Sequence, residues 1–319
     1  MPQHTPAADT APGSGRTMLL DSASLYFRAF YGVPDTVRSP EGEPVNAVRG
    51  FLDIIARLVA DFGPASLVAC WDDDWRPRWR VDLIPSYKAH RVAREVPGGV
   101  DVEETPAELV AQVPVIREVL GALGIAIVGV AQHEADDVIG TLASRRTGPA
   151  DVVTGDRDLF QLVDDAHDVR VVYTARGMSN LEVLTDEVVA GKYGVRPDQY
   201  ADFAAMRGDS SDGLPGVAGV GEKTAAALLA EYGSLDGIRA AAADASSAMK
   251  PAVRARFLAA ADYLDVAPRV VEVVRDLELP AVDARLRRPQ EHQREALDAL
   301  AARWGLGGSL DRLLAALPD

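Results

Sequence analysis

The stretch VVTGDRD, residues 152–158, decides the fold: a short apolar, β-branched run ends in a glycine turn that carries two aspartates. Such a run is typical of a buried strand, and such a turn is typical of a strand end. Helical patterns at residues 45–60 and 107–123 lie between runs of this kind, which occur at residues 17–20, 66–71, 125–128, 150–154 and 169–173. Because strands that alternate with helices usually pair in parallel, the sequence predicts an α/β fold, a mostly parallel sheet flanked by helices.

The texture of the chain changes near residue 187, after which strand patterns vanish and Ala- and Leu-rich helical stretches dominate. We therefore expect an α/β core at residues 17–190 and a helical subdomain at residues 191–319. The first 16 residues are rich in Pro, Ala, Thr and Gly and lack the basic start and apolar stretch of a secretory signal. We expect residues 1–16 to be a disordered tail.

Composition limits the class of protein. No apolar run approaches the roughly 20 residues that span a bilayer, so no membrane association is expected. A single cysteine, Cys70, excludes an intramolecular disulfide and favours the cytoplasm. The net charge of −15 counts against a nucleic-acid binder. Residues 75–94, however, carry one acid, Asp82, against six bases: Arg76, Arg78, Arg80, Lys88, Arg91 and Arg94.

Acidic residues recur where the predicted strands end. Taken one at a time, each fits a turn or a helix cap. In a parallel sheet, however, the carboxyl ends of the strands share one edge, where ligands gather. The candidates are Asp21 and Asp72 after the first two strands, Glu134, Asp136 and Asp137 in HEADDVIG, Asp156 and Asp158 in VVTGDRD, and Asp209 and Asp212 in GDSSDG.

So many carboxylates at one edge repel one another unless cations neutralise them. Oxygen ligands of this kind suit Mg²⁺ or Mn²⁺, whereas no His or Cys spacing indicates zinc. Two such ions can activate water and stabilise the leaving oxygen of a phosphodiester. The sequence therefore predicts a divalent-metal site and metal-assisted phosphoryl chemistry.

The glycine-rich stretch PGVAGVGEKTA, residues 215–225, nearly spells a nucleotide-binding loop. Glu222 intrudes before Lys223 and Thr224, and no strand precedes the turn, so ATP binding is not expected. The remaining interpretation is a turn that enters a helix, whose free N–H groups bind phosphate well, or a plain helix–turn–helix packing motif.

Motifs along nearly the whole ordered chain resemble those of the 5′-nuclease family, which includes the N-terminal domain of bacterial DNA polymerase I and the flap endonucleases. The matching segments, in family order, are MLLDSASLYFRAF, EGEPVNAVRGF, SYKAHR, HEADDVIG, VVTGDRDLFQLV, KYGVRPDQYADFAAMRGDSSDGLPGVAGVGEKTA and YGSLDGI. The resemblance implies a PIN-like nuclease core with a helical arch at residues 80–106. It also implies a helical subdomain that grips duplex DNA through a helix-hairpin-helix-type motif.

The resemblance also implies roles for individual residues. All nine acids fall on the family's metal-binding positions, with Asp21, Asp72, Asp136, Asp137 and Lys88 as the catalytic set. Lys88 is expected to contact the scissile phosphate. Expected DNA contacts are Arg28, Arg78, Tyr87, Lys88, Arg91, Gly219, Gly221, Lys223 and Thr224, and the hairpin often holds K⁺. Gly213 departs from the asparagine that is common in bacterial relatives.

The expected activity is that of a structure-specific 5′-3′ exonuclease or flap endonuclease that hydrolyses DNA by two-metal-ion catalysis. The substrates would be 5′ flaps, nicks and 5′ ends met in DNA replication and repair, including Okazaki-fragment and primer processing. The chain ends at Asp319 without a polymerase domain, so a monomer working with a DNA polymerase in trans is expected. A non-cleaving junction-binding protein and an RNA-cutting enzyme are the alternatives, and RNA–DNA hybrids stay open as substrates.

Overall fold

The computed structural model describes residues 15–146 and 148–318. Its main sheet has six strands in the order β5-β2-β1-β6-β7-β8, and β3 and β4 form a separate two-stranded ribbon. The strands are β1 (Thr17–Asp21), β2 (Ser66–Trp71), β3 (Val92–Arg94), β4 (Val102–Glu103), β5 (Ala126–Gly129), β6 (Ala150–Thr154), β7 (Val169–Tyr173) and β8 (Glu182–Leu184). The first five strands of the sheet pair in parallel, and β8 runs antiparallel to β7. The predicted α/β fold is therefore confirmed.

Helices cover both faces of this sheet. They are α1 (Ser22–Gly32), α2 (Asn46–Phe62), α3 (Arg78–Leu83), α4 (Ala107–Ala122), α5 (Ala135–Arg145), α6 (Asp186–Tyr193), α7 (Tyr200–Arg207), α8 (Glu222–Tyr232), α9 (Leu235–Ala243), α10 (Pro251–Ala259), α11 (Ala261–Val271), α12 (Glu291–Trp304) and α13 (Gly307–Ala316). No helix in the described ranges is both long and apolar enough to cross a membrane.

Strand β1 separates two hydrophobic cores. Leu19 packs into the core that includes residues of α5, α7, α8 and α11, whereas Met18 and Leu20 pack into the core that includes residues of α2, α4, α12 and α13. Side chains alternate between the two faces of a strand, and both faces are covered here. This explains why the strand reads as an unbroken apolar run rather than as an alternating one.

The strand order reverses between β1 and β6. From β1 the chain proceeds outward through β2 to β5, and it then returns to the other side of β1 with β6. Leu20 pairs with Val153 across this junction. A crevice at the carboxyl ends of the strands, where the order reverses, is the usual ligand site of an open α/β sheet. Asp21 and Asp156 follow the two strands at this point.

The predicted boundary of the tail is wrong at its last residue. Residues 1–14 lie outside the described part of the chain, but Arg16 is buried and its guanidinium bonds Asp151 (3.1 Å) and Asp168 (2.6 Å). The buried carboxylate of Asp151, on β6, also bonds Arg170 (2.6 Å). Arg16 therefore belongs to the folded core.

The predicted helical arch at residues 80–106 is also corrected. After α3, the chain forms a 3-10 turn at Ala89–Arg91 and then the antiparallel ribbon of β3 and β4. A Pro97-Gly98-Gly99 turn flanked by valines disfavours helix and favours a ribbon. Asp101 anchors the base of this ribbon by bonding Arg76 (2.7 Å).

The C-terminal helices α12 and α13 pack on the α/β core, not on the helical subdomain. Their leucines share one core with Phe51 of α2. The extended chain before α12 also pairs with the start of β2, where Leu67 donates to the carbonyl of Ala284 (2.8 Å) and Leu286 donates to that of Ala65 (3.0 Å). The predicted single subdomain at residues 191–319 is therefore too long, since its last two helices form an outer layer of the nuclease core.

Candidate active site

Asp21 marks the centre of the carboxyl edge of the sheet. Its Oδ2 accepts a hydrogen bond from the Thr154 hydroxyl on β6 (2.7 Å), and its Oδ1 accepts one from the Ser24 N–H at the start of α1 (3.1 Å). The carboxylate is thereby fixed across the junction between β1 and β6. Thr154 was not singled out from the sequence, although it stands immediately before the predicted acidic turn.

The start of α5 supplies the next acids. Asp72, which follows β2, accepts a hydrogen bond from the Ala135 N–H in the first turn of α5 (2.7 Å). Glu134 caps this helix, and Asp136 lies in its first turn. A helix N-terminus favours negative charge, so α5 presents acids to the cleft at a place where its dipole stabilises them.

Eight of the predicted residues line one cleft of about 420 Å³: Asp21, Asp72, Lys88, Arg91, Glu134, Asp136, Asp156 and Asp209. Asp158 and Asp212 line a narrow extension of it, next to Glu134 and Asp136. The structure therefore brings together eight of the nine acids that the sequence analysis proposed.

Burial and mutual repulsion perturb these carboxyl groups. Burial, helped by the negative charge of Asp156, raises the pKa of Asp21 to about 6. Burial, helped by Asp21, raises the pKa of Asp72 to about 7. The pKa of Asp136 also lies well above its usual value, first from burial and then from repulsion by Asp21 and Asp156. Such crowding of acids is the electrostatic signature of a cation site.

A second group of acids lies in the turn after β6 and in the loop of Asp209 and Asp212. Asp156 Oδ1 accepts a hydrogen bond from the Asp158 N–H (2.9 Å), which holds the turn after β6. Burial first, and then the charges of Asp156 and Asp212, raise the pKa of Asp158 well above its usual value. Burial would also raise the pKa of Asp209, but hydrogen bonds from Ser211 and nearby guanidinium groups outweigh it and lower that pKa.

The residues of this cleft fit divalent cations. Asp158 Oδ1 is shielded from solvent and has no hydrogen-bond partner in the described residues. This oxygen could therefore bind a metal ion. No three acids of residues 15–146 and 148–318 converge closely enough to enclose an ion by themselves. Mg²⁺ does not require that, because it commonly takes one or two carboxylates and completes its shell with water and substrate phosphate.

Lys88 enters the same cleft on the other side of Glu134. Its ammonium is ion-paired with Glu134 Oε2, and the Tyr87 hydroxyl donates to Glu134 Oε1 (2.7 Å). The predicted role of Tyr87 as a DNA contact is wrong for this structure, because the ring is only 4% exposed and packs in the core. Tyr87 instead orients Glu134, and Lys88 is the member of the pair that lines the cleft.

The loop at residues 209–213, here called the acidic loop, packs against residues 86–91, here called the basic segment. The Lys88 N–H donates to the carbonyl of Asp212 (2.9 Å), and Arg91 bonds Asp212 Oδ1 (3.0 Å) and the carbonyl of Ser211 (2.6 Å). Arg91, which was expected to contact DNA, thus bonds the acidic loop within the protein. These bonds fix the second group of acids relative to Lys88.

Asp137 does not belong to the metal cleft. It is fully buried, and both of its oxygens bond the Arg80 guanidinium, at 2.8 and 2.7 Å. Successive residues on a helix point about 100° apart, so Asp136 can face the cleft while Asp137 faces the protein. Its assignment as a catalytic metal ligand is therefore corrected to a structural ion pair. Arg80, counted from the sequence only as part of a basic cluster, also bonds the carbonyl of Val270 (3.1 Å) and so ties α3 to α5 and α11.

The glycine-rich turn lies directly after the acidic loop. Gly219 and Lys223 are exposed and Thr224 is half-buried, while Gly221 caps α8 without a side-chain bond. The turn is exposed and lies outside the cleft, so a phosphate contact there stays a prediction. Arg256 of α10 donates to the carbonyl of Gly219 (3.0 Å), a cationic neighbour that the sequence analysis did not identify.

The remaining two predicted DNA contacts also lie outside the cleft. Arg28 lines a neighbouring apolar groove between α1 and α2, and Arg78 is exposed on α3, where it pairs with Asp82 (2.8 Å). Within the part of the chain that the structure describes, neither makes a hydrogen bond or ion pair with a cleft acid.

An acid-lined crevice at the switch point of a parallel sheet, with a helical subdomain beside it, defines a class of phosphoryl-transfer enzyme. Two family models divide the chain between them. The 5′-3′ exonuclease N-terminal resolvase-like domain matches residues 16–194, and the 5′-3′ exonuclease C-terminal SAM fold matches residues 195–294. The chain belongs to the 5′-3′ exonuclease family and is a hydrolase of the nuclease class.

Relatives along nearly the whole chain agree with this. A 5′-3′ exonuclease of Streptomyces coelicolor is 61% identical over 301 residues, which cover 94% of this chain and 99% of the relative. A 5′-3′ exonuclease of Mycobacterium tuberculosis is 50% identical over 310 residues, which cover 94% and 97% of the two chains. The family resemblance inferred from the motifs is confirmed.

A solved structure shares the fold at low identity. The flap endonuclease of bacteriophage T5, in a pseudo-enzyme-product complex with DNA and metal ions, superposes with a TM-score of 0.61 at 16% identity. The match covers 94% of this chain and 97% of the phage protein. At this identity the likeness shows the shared fold alone.

Proposed function

We propose that this protein is a structure-specific nuclease that cuts DNA near 5′ ends, at flaps and nicks, with two divalent ions, Mg²⁺ or Mn²⁺. The observation that carries the proposal is that a cleft and its narrow extension bring together eight of the predicted acids at the switch point of the sheet, with Asp158 Oδ1 lacking a hydrogen-bond partner in the described residues. Crowded carboxylates repel one another and so destabilise a fold, whereas bound divalent ions offset this repulsion and can promote phosphodiester hydrolysis.

The acids divide into two groups that would hold the ions. Asp21, Asp72 and Asp136 would supply oxygens to an inner ion, and Asp156, Asp158, Asp209 and Asp212 would supply oxygens to an outer one, with water and substrate phosphate completing each shell. When bound, the ions supply the positive charge that activates water and stabilises the leaving oxygen. Glu134 serves chiefly to hold Lys88, because its oxygens are taken by Lys88, Tyr87 and Arg80.

Lys88 places an ammonium beside the position of the scissile phosphate. A preorganised cation in a site from which water is partly excluded stabilises charge that develops in the transition state. Burial would lower the pKa of Lys88, but the charge of Glu134 outweighs it and raises that pKa well above the usual value. Lys88 is therefore a fixed positive charge and does not act as a proton donor near neutral pH.

Duplex DNA would be held by the glycine-rich turn and the first turn of α8. Free N–H groups at a helix N-terminus bind phosphate and carry no base information, so recognition is of DNA structure rather than sequence. The T5 relative, whose complex holds DNA and metal ions, supports this substrate class. A K⁺ ion at the turn, action as a monomer, a DNA polymerase acting in trans, and roles in replication and repair belong to the same proposal.

The proposal is tested by cleavage of a panel of labelled substrates with Mg²⁺ and with EDTA. The panel contains a 5′ flap, a nicked duplex, a blunt duplex, a single strand, and the same flap made of RNA. We expect metal-dependent cutting at the junction of the DNA flap, with single strands cut least. Folded protein that binds the flap but never cuts it would favour the junction-binding alternative, and faster cutting of the RNA flap would favour a ribonuclease.

A further inference from the structure

Two arginines of the described residues line the cleft, Arg91 and Arg157, and only the guanidinium of Arg157 makes no hydrogen bond. It stands between Asp156 and Asp158 in the turn after β6, and its side chain is 40% exposed. Its nearest carboxylate oxygens in the described residues are Asp209 Oδ2 at 3.9 Å and Glu222 Oε1 at 3.8 Å, both beyond hydrogen-bond distance. The donors of the guanidinium therefore remain available.

The other cations near the acids are already engaged. Lys88 is bonded to Glu134, and Arg91 is bonded to Asp212. Arg207 donates to the carbonyl of Gly208 (3.0 Å) and lies 3.3 Å from Asp209. Lys88, Arg91 and Arg207 thus each already neutralise an acid at short range, whereas Arg157 makes only two long ion pairs.

The position of Arg157 also links the two parts of the proposed DNA site. Asp209 lies in the acidic loop, and Glu222 lies in the first turn of α8, directly after the glycine-rich turn. The side chain of Arg157 approaches both, so it spans the gap between the cleft and the hairpin. A DNA strand that is held at the hairpin and cut in the cleft would carry its phosphates along this gap.

We propose that Arg157 binds a backbone phosphate of the substrate adjacent to the scissile one, on the side of the hairpin. A guanidinium offers paired donors in a fixed plane that match two phosphate oxygens, and charge-assisted bonds of this kind are the strong ones. On binding, the phosphate replaces Asp209 and Glu222 as the partner of Arg157. This inference rests on the proposed function, since it names a substrate contact of the same site.

The test replaces single phosphates of the flap substrate by neutral methylphosphonates, one position at a time on each side of the cut. For the wild-type protein we expect one adjacent position at which kcat/KM falls about tenfold or more. Arg157→Gln should lower kcat/KM on the unmodified flap by about the same factor and show no additional loss at that position. Two changes that remove one shared contact are not additive, which a merely structural role of Arg157 would not produce.

Binding gives a second readout that does not need cleavage. With Ca²⁺ in place of Mg²⁺, anisotropy of the same labelled flaps measures affinity, and loss of one phosphate contact lowers the slope of log K against log[salt] by about 0.9. Arg157→Lys keeps the charge and loses the fork, so we expect an intermediate loss. Arg196→Gln, an exposed arginine paired with Asp198 away from the cleft, is the matched control and should change neither readout.

The outcomes separate the two proposals. Methylphosphonate losses that are the same in the wild type and Arg157→Gln at every position, with normal cleavage by the wild type, would overturn the role of Arg157 and leave the proposed function intact. If the wild type binds the flaps but cuts none, the proposed function fails, and the binding comparison alone decides whether Arg157 contacts a phosphate. Should Arg157→Gln not fold, Arg157→Lys is compared in the same way.

Discussion

The carbonyl oxygen of Ser86 lies only 2.0 Å from the place where a Cβ at residue 213 would stand. Gly213 also has φ +70°, a conformation that side chains rarely adopt, and its own carbonyl accepts a hydrogen bond from the Ser86 hydroxyl (2.7 Å). The acidic loop and the basic segment therefore meet backbone to backbone. Only glycine at residue 213 permits this approach, so any residue with a side chain would require the two loops to stand further apart.

Gly213→Ala should separate the acidic loop from the Lys88 segment. The added Cβ must displace the Ser86 backbone and strains a left-handed residue, so we expect unfolding free energy to fall by about 1–3 kcal/mol. Loss of the bond between Lys88 and Asp212 should also lower the affinity for Mg²⁺, measured as the concentration that gives half-maximal cleavage. Gly191→Ala in α6, where an added Cβ meets nothing within 4 Å, is the control and should not destabilise. Equal effects of the two substitutions would contradict the close approach.

Asp136 and Asp137 are neighbours with opposite expected phenotypes. Asp137→Asn weakens the buried partner of Arg80, so we expect a loss of about 3–5 kcal/mol of stability, measured by denaturant unfolding. Asp136→Asn removes a crowded charge, so the metal-free protein should be as stable as the wild type or more so, while cleavage is lost. A stable Asp137→Asn that loses Mg²⁺ affinity would return Asp137 to the metal site.

Lys88→Ala removes the ammonium that, in the proposed mechanism, lies beside the scissile phosphate. We expect kcat to fall about 100-fold or more, with flap affinity in Ca²⁺ changed only a few-fold, because the charge acts mainly in the transition state. Lys192→Ala is the control: it removes a lysine of α6 that pairs with Glu182 at the surface, and it should leave both quantities unchanged. A defect in affinity alone would reduce Lys88 to a binding contact.

The metal-free protein should lose stability as pH rises. The pKa of Asp72, ordinarily 3.8, is about 7 in the folded chain, so folding takes up a proton between these values. Its stabilising contribution is present below about pH 4 and is lost as pH rises to about 7, with at most about 4 kcal/mol at stake. Asp21, with a pKa of about 6, acts in the same direction.

The measurement is the melting temperature in EDTA at pH 5.5 and pH 8, and again with Mg²⁺. We expect the drop between the two pH values in EDTA to shrink in Asp72→Asn and to shrink in the wild type when Mg²⁺ is added. Wild-type protein that is equally stable at both pH values without metal would show that these carboxyls are not strained by burial.

The sequence was sufficient to predict the sheet and most of the cleft. Asp21, Asp72 and Asp156 follow apolar runs, and in a parallel sheet such positions must share an edge. Strand β8, only three residues long, carried too little pattern to be predicted. The cleft could thus be predicted because the carboxyl ends of parallel strands lie at the same edge of the sheet.

What the sequence could not give depended on contacts between distant residues. Whether Asp136 or Asp137 faces the cleft depends on the rotation of α5, which Arg80 fixes from 57 residues away. The amphipathic patterns of α12 and α13 indicate helices but not which core they cover. Arg16 looks like part of a polar tail until its partner Asp151 is placed beside it.

In the proposed mechanism, the acid-lined cleft holds the ions that drive hydrolysis. The most direct measurement is the single-turnover rate of flap cleavage as a function of Mg²⁺ concentration, for the wild type and for Asp136→Asn. We predict no cleavage in EDTA, saturable cleavage at the junction with Mg²⁺, and a rate for Asp136→Asn at least about 100-fold lower with flap binding retained in Ca²⁺. Wild-type rates for Asp136→Asn at saturating Mg²⁺, or cleavage that persists in EDTA, would contradict it.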